Sequence, residues 1–177
     1  MKKLKNSELN RISIKEFKNS SKTPIKVVLD NIRSAHNVGS IFRTCDAFLI
    51  DEIILCGITA VPPNNEIRKT ALGSTESLKW TYVKEIENAV LKLKSENYQI
   101  VSIEQADKSI NIENFNLDSS KKYAVIFGNE IKGVNQNVID LSDHVVEITQ
   151  YGTKHSLNVS VSAGIVVWDF FSKINLK

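Results

Sequence analysis

HVVEITQYGTKHSLNVSVSAGIVVWDFF, from His144 to Phe171, is the stretch on which the reading of this chain turns. His144 to Thr149 has the look of a strand, and Gly152 breaks it in a polar turn. Ser156 then offers the side chain of a helix N-cap, a hydroxyl able to accept from an orphan backbone N–H. The helix that follows carries Val159, Val161, Ile165, Val166, Val167, Trp168, Phe170 and Phe171, which leave it no wide polar face. An apolar circumference needs cover on nearly every side. One sheet covers only one side, so a second protein surface is expected. Ser156 and Asn158 stand at the front of the helix, where open α/β sheets bind ligands beyond the strand ends.

Upstream of this stretch, short apolar runs alternate with amphipathic ones. KVVLD (Lys26–Asp30), EIILCG (Glu52–Gly57), WTYV (Trp80–Val83), QIVSIE (Gln99–Glu104) and YAVIF (Tyr123–Phe127) read as strands. Helices are predicted from an Asn37 cap to about Leu49, over Asn65–Leu72, over Glu85–Glu96 and over Asn135–Leu141. The Asp/Asn/Ser-rich span 107–120 reads as a loop. The alternation predicts an α/β fold, a largely parallel sheet with helices on both faces. In the first long helix Val38, Ile41, Phe42, Cys45, Phe48 and Leu49 form one stripe. Arg43 falls roughly opposite it at ~100° per residue, a position that usually belongs to a solvated face.

The 177 residues, 42% apolar and 24% charged, make one domain with room for a sizeable core and exclude disordered and fibrous classes. No apolar run reaches ~18 residues, and the Lys-rich start leads into no apolar segment, so no membrane contact is expected and the compartment is cytoplasmic. Cys45 and Cys56 make no disulfide framework, and His36, His144 and His155 lack ligand spacing, so no metal is expected. Both cysteines read as reduced packing residues. The net charge of +3 is uneven. Residues 1–22 hold seven basic residues against Glu8 and Glu16, a net +5, and the rest of the chain carries −2. The division drawn is a basic N-terminal arm, 1–22, with a short helix at the Ser13/Glu16 capping-box spacing, and a domain, 23–177. Such an arm suits a polyanion such as nucleic acid, and a solubilising tail is the plainer alternative.

VIFGNEIKG places a Gly-bracketed turn directly after an apolar strand. Gly128 would let backbone approach a ligand, and Gly133 would ease entry into the next helix. The turn is neither a P-loop nor G-x-G-x-x-G, which argues against a dinucleotide enzyme. Glu130 is wrong for cradling phosphate. It suits donors on a ribose or a cationic group, unless it is only a solvated turn carboxylate.

HNVGSIFRTCDAF (His36–Phe48), VIFGNEIKGV (Val125–Val134) and SLNVSVSAGI (Ser156–Ile165), in this order and spacing, closely resemble the signature motifs of the TrmH/SpoU-type RNA 2′-O-ribose methyltransferases of the SPOUT superfamily. The resemblance spans about residues 25–171, and the Asn37–Arg43 spacing with Thr44-Cys45-Asp46 is particularly like the tRNA guanosine methylases. It implies a homodimer, a C-terminal part threaded as a trefoil knot, S-adenosyl-L-methionine as cofactor and RNA as substrate, tRNA before rRNA. Carried over by motif, Asn37, Arg43, Glu130, Ser156 and Asn158 match the family's catalytic set. Gly128, Ile148 and Leu157 match positions that hold the cofactor, and Glu104 is a looser match. The chain departs from the pattern at TQYGTKH (149–155), where a Pro-Met-containing segment is more usual.

The expected activity is therefore methyl transfer to a ribose 2′-OH. Guanidinium is a poor base, with pKa above ~12. Arg43 is better cast as holding a neighbouring phosphate and stabilising the developing alkoxide by its charge. The rivals are a non-catalytic RNA-binding protein that kept the fold, and an unrelated nucleotide-binding oxidoreductase.

Overall fold

A computed structural model describes residues 1–176. Among them seven strands make one sheet: β1 (Thr23–Asp30), β2 (Ile50–Cys56), β3 (Lys79–Val83), β4 (Tyr98–Ile103), β5 (Ile110–Asn111), β6 (Lys122–Phe127) and β7 (His144–Glu147). Their spatial order is β3-β2-β1-β6-β4-β7-β5, and every pairing is parallel. Seven α-helices accompany them: α1 (Ile14–Asn19), α2 (Ala35–Ala47), α3 (Asn65–Ala71), α4 (Ser74–Ser77), α5 (Ile86–Ser95), α6 (Gln136–Leu141) and α7 (Val159–Asn175). The expected α/β class is what forms.

Alternation along the central strands builds two cores. Val27, Leu29, Ile53, Leu55, Val125 and Phe127 pack with Val38, Ile41 and Phe42 of α2 and Val166 and Phe170 of α7. Val28, Ile54, Ile100, Ala124 and Ile126 point the other way, onto Val90 and Leu93 of α5 and Val138 of α6. A strand buried on both faces must be apolar at every position, which is why these runs lack polar alternation. Among the exceptions is a buried ion pair between β1 and β2. Lys26 Nζ lies 2.9 Å from Glu52 Oε2 with both side chains nearly buried, and Lys79 reaches the same oxygen at 3.3 Å. Cys45 and Cys56 are free and buried, and burial pushes both thiols up, Cys56 to about 12. No helix of the described residues is long and apolar enough to cross a membrane.

Three local readings differ from expectation. The span 107–120 is not all loop: β5 adds to the sheet beside β7, and Ile112, Phe115 and Leu117 are buried. Lys173 Nζ donates to the carbonyls of Ile112 (2.8 Å) and Phe115 (3.1 Å), binding this span to α7. The α2 cap is Ser34, whose Oγ accepts from Asn37 N at 3.3 Å, not Asn37. The α7 cap is Asn158, whose Oδ1 accepts from Ser160 N at 2.9 Å, not Ser156.

The α7 helix buries Val159, Ala163, Val166, Val167 and Phe170. Val161, Ile165 and Trp168 stay on its outer side, with Trp168 49% exposed. Phe48, at the end of α2, packs its ring on Trp168 (5.4 Å between centroids) and Phe171 (5.2 Å).

Candidate functional site

The three motifs meet beyond the C-terminal ends of the strands. After β6 the chain closes a tight turn in which Asn129 and Gly133 exchange backbone hydrogen bonds of 3.1 and 2.8 Å. Asn129 Oδ1 accepts from Ile131 N and Lys132 N, both at 3.0 Å, and its Nδ2 donates to Asn31 O at 2.7 Å. A Cβ at Gly128 would collide with the Gly133–Val134 backbone. Gly133 has φ +67°, and the Glu104 carboxylate lies where its Cβ would go. The space these glycines leave is filled by the chain itself rather than reserved for a ligand.

Glu130 is half-buried, and among the described residues it has hydrogen-bond donors rather than an ion-pair partner. Its Oε2 accepts from Arg33 N (2.9 Å), and its Oε1 accepts from Ser34 N and Asn37 Nδ2 (both 3.1 Å). Burial works to raise this carboxyl, and the backbone donors and the Asn37 amide overcome it, holding it below the usual range. Asn37 Oδ1 in turn accepts from Asn158 Nδ2 at 3.2 Å. One hydrogen-bond chain, Glu130–Asn37–Asn158–Ser160, thus joins the starts of α2 and α7 to the turn after β6. The helix starts supply unpaired N–H groups, which is why a carboxylate and an amide oxygen settle there.

Beside this chain lies a cavity of about 360 Å³, between the turn and the 148–157 loop. Glu104, Gly128, Ile148 and Leu157 line it, and so do Glu130 and Ser156. Glu104 has a fixed place: Oε2 accepts from Val134 N at 2.9 Å and Oε1 from Gln105 N at 2.8 Å. Glu147, Gln105 and His155 also line it and were not among the site residues expected from the sequence. Gln105 Nε2 donates to His155 O at 2.8 Å and so ties the loop to the end of β4. Its position just past a strand's C-terminal end was the available signal.

Asn37 and Asn158 do not line the cavity; Asn37 is joined to it through Glu130, and Asn158 stands between the lining residues Leu157 and Val159. Arg43 does not reach the cavity. The Arg43 side chain is exposed in a separate groove with Lys69, Thr70, Ser40 and Thr44. Lys69 is paired there with Glu66 (2.7 Å), which also takes His36 Nε2 at 2.9 Å. No three His, Cys, Asp or Glu side chains of the described residues are grouped to hold a metal.

A sequence model described as the SpoU rRNA Methylase family matches residues 24–168. The chain belongs to that family. Among relatives of this chain, the tRNA (guanosine(18)-2'-O)-methyltransferase of Aquifex aeolicus is 33% identical over 81% of this chain and 66% of its own. An uncharacterized tRNA/rRNA methyltransferase of Borreliella burgdorferi is 32% identical over 98% of this chain and 78% of its own. A 23S rRNA (guanosine-2'-O-)-methyltransferase of Neisseria meningitidis is 30% identical over 85% and 59%. The chain thus spans 59–78% of these relatives' length. Its fold matches the A. aeolicus TrmH/SpoU tRNA modifying enzyme with a TM-score of 0.79, at 24% identity over 90% of this chain and 81% of that one. An AdoMet-bound rRNA methyltransferase from Sinorhizobium meliloti matches with a TM-score of 0.77, at 25% identity over 87% and 59%.

Proposed function

We propose that this SpoU methylase transfers a methyl group from S-adenosyl-L-methionine to a ribose 2′-OH of cellular RNA in the cytoplasm, with tRNA the first-choice substrate and rRNA the alternative. The observation that carries the reading is the hydrogen-bond chain from Glu130 through Asn37 to Asn158, which joins residues of three distant motifs beside a cavity. At about 360 Å³ the cavity falls within the ~300–1,000 Å³ of small-molecule sites. Its residues fit the cofactor. Ile103, Phe127, Ile148 and Leu157 offer apolar surface for a purine, and Glu104, Glu130 and Glu147 surround it with negative charge that suits a cation. When bound, the cofactor supplies an electrophilic methyl on a positively charged sulfur.

The chain's own residues do the rest. Glu130, Asn37 and Asn158 fix the two helix starts and the turn in one geometry, and positioning of this kind can supply several kcal/mol of a transfer barrier. Ser156 lines the cavity, where its hydroxyl can orient the incoming ribose. Arg43 can hold a phosphate beside the reacting hydroxyl. Within one chain Arg43 and the cavity are apart, so the same reading includes a homodimer. The outer stripe of α7 adjoins the Arg43 end of α2 through Phe48, and twofold pairing there would present one chain's Arg43 to the other's cavity. The implied trefoil knot belongs to this reading too, with the 148–157 loop as its cofactor-facing part. Two relatives are named for guanosine, and guanosine is the first choice here.

The test combines calorimetry with S-adenosyl-L-methionine and mapping of 2′-O-methyl sites in RNA from cells with and without the protein. Micromolar binding and loss of a defined site are expected. Binding of RNA without cofactor binding or any missing methyl would favour the non-catalytic reading.

A further inference from the structure

The turn that walls the cavity has a second face. On its far side, over the ends of β1 and β6, lies a groove of about 860 Å³. Its floor holds Asp30, only 2% exposed. Asp30 Oδ1 accepts from Asn31 Nδ2 at 2.6 Å, and Oδ2 accepts from no donor of the described residues. Burial pushes this carboxyl up, the Asn31 amide opposes that, and the nearby Glu87 charge adds to it. A desolvated carboxylate with one oxygen unserved gains from any further donor brought to it.

Asn31 makes the floor rigid. Its Oδ1 accepts from Ile58 N at 3.1 Å, and its carbonyl takes the Asn129 amide at 2.7 Å. Above the floor, Ile58 and Ile131 stand 68% and 73% exposed as two apolar walls. Arg33 and Lys132 are exposed at the rim. Buried acceptor, apolar jaws and flanking cations are together the chemistry of a nucleobase carried on a phosphate backbone.

The acceptor selects the base. An ionised carboxylate only accepts hydrogen bonds. Guanine presents two adjacent N–H donors on one edge, N1–H and the 2-amino group. Cytosine and adenine pair one amino group with a ring acceptor that a carboxylate would repel, and uracil sets its single N–H between carbonyls. We propose that this groove reads a guanine base of the RNA substrate through Asp30. The inference rests on the proposed function for its RNA and on the groove for its base. It also supplies what a ribose methylase otherwise lacks, since the 2′-OH is the same on every nucleotide.

The site is testable without activity, using the full chain labelled at isoleucine methyls. 5′-GMP should shift the methyls of Ile58 and Ile131, and 5′-IMP, which lacks the 2-amino group, should bind roughly tenfold more weakly. Asp30→Asn should remove that preference, and Ile58→Ala, at an exposed position that leaves the core intact, should weaken both ligands. In methyl transfer, Asp30→Asn should raise the KM for RNA several-fold with kcat changed far less. Equal binding of GMP and IMP, or shifts confined to other isoleucines, would overturn the proposal. A GMP preference with an unchanged KM for RNA would assign the groove to a free nucleotide and overturn its role in RNA reading. A GMP preference in a chain that methylates no RNA would instead overturn the proposed function.

Discussion

Arg43 is exposed and packs into no core, so truncating it removes a charge without opening a hole. Arg43→Ala should leave the melting temperature and cofactor affinity nearly unchanged while single-turnover methyl transfer falls by ~10²-fold or more, the scale of a charge-positioning group. A variant retaining a third of the wild-type rate would remove Arg43 from the mechanism. Glu52 presents the opposite case, a charge at 3% exposure that matters to the fold. Burial raises its carboxyl, but Lys26, Lys79 and the Thr81 hydroxyl overcome that and hold it below its ordinary 4.5. Lys26, though desolvated, is held above its ordinary value by Glu52. A lowered carboxyl contributes stability that is present above pH 4.5 and lost as pH falls through the folded value. Glu52→Gln should cost about 3 kcal/mol at pH 7, the low end for a broken buried pair because Glu96 remains 3.5 Å from Lys26. The gap between variant and wild type in urea melts should close below pH 4.5, and a gap independent of pH would place the loss in packing instead.

At the scale of elements, the central strands were readable because burial on two faces forces apolar runs at strand length. What escaped the sequence was set by partners far along the chain. Asn37 and Ser156 had the chemistry of caps, yet Asn37 is drawn to Glu130 and Asn158, and the caps fall to Ser34 and Asn158. In 107–120 the polar composition hid Ile112, Phe115 and Leu117, whose burial depends on α7 arriving over them. The outward position of Arg43 was legible from helical spacing, but its separation from the cavity was not, because spacing within one helix carries no distance to another element. Gly128 was read as room for a ligand and turns out to be room for the turn's own backbone. Gly128→Ala should therefore cost about 1–3 kcal/mol by overpacking. It should also weaken cofactor binding, because the displaced turn is the cavity wall. A thermal melt and calorimetry on one sample would check both, and an alanine variant with wild-type stability would show that the turn yields more easily than its geometry implies.

At the scale of the whole molecule, charge and apolar surface are both unevenly placed. Residues 1–13 are exposed and carry Lys2, Lys3, Lys5 and Arg11, whereas Phe17 of α1 is buried in the core, so the arm can be shortened without unmooring α1 only ahead of the Ser13 cap. Deleting residues 1–12 should flatten the dependence of log affinity for RNA on log salt by ~0.7 for each phosphate the arm no longer neutralises. An unchanged slope would return the arm to a solubilising role. Val161, Ile165 and Trp168, for their part, leave an apolar stripe on α7, continuous with Phe48 and Phe171, that a chain of this size rarely exposes. Twofold self-pairing covers such a stripe with itself. Because Trp168 is half exposed in the single chain, Trp168→Glu should leave a folded monomer but carry a desolvated carboxylate into any twofold interface, at a cost of several kcal/mol. Light scattering should then find the wild type dimeric at micromolar concentration and the variant monomeric with its circular dichroism intact. Methyl transfer should fall with the dimer, since in this arrangement each cavity depends on the other chain's Arg43. A wild-type chain that is monomeric and fully active would sink both the dimer and the shared site.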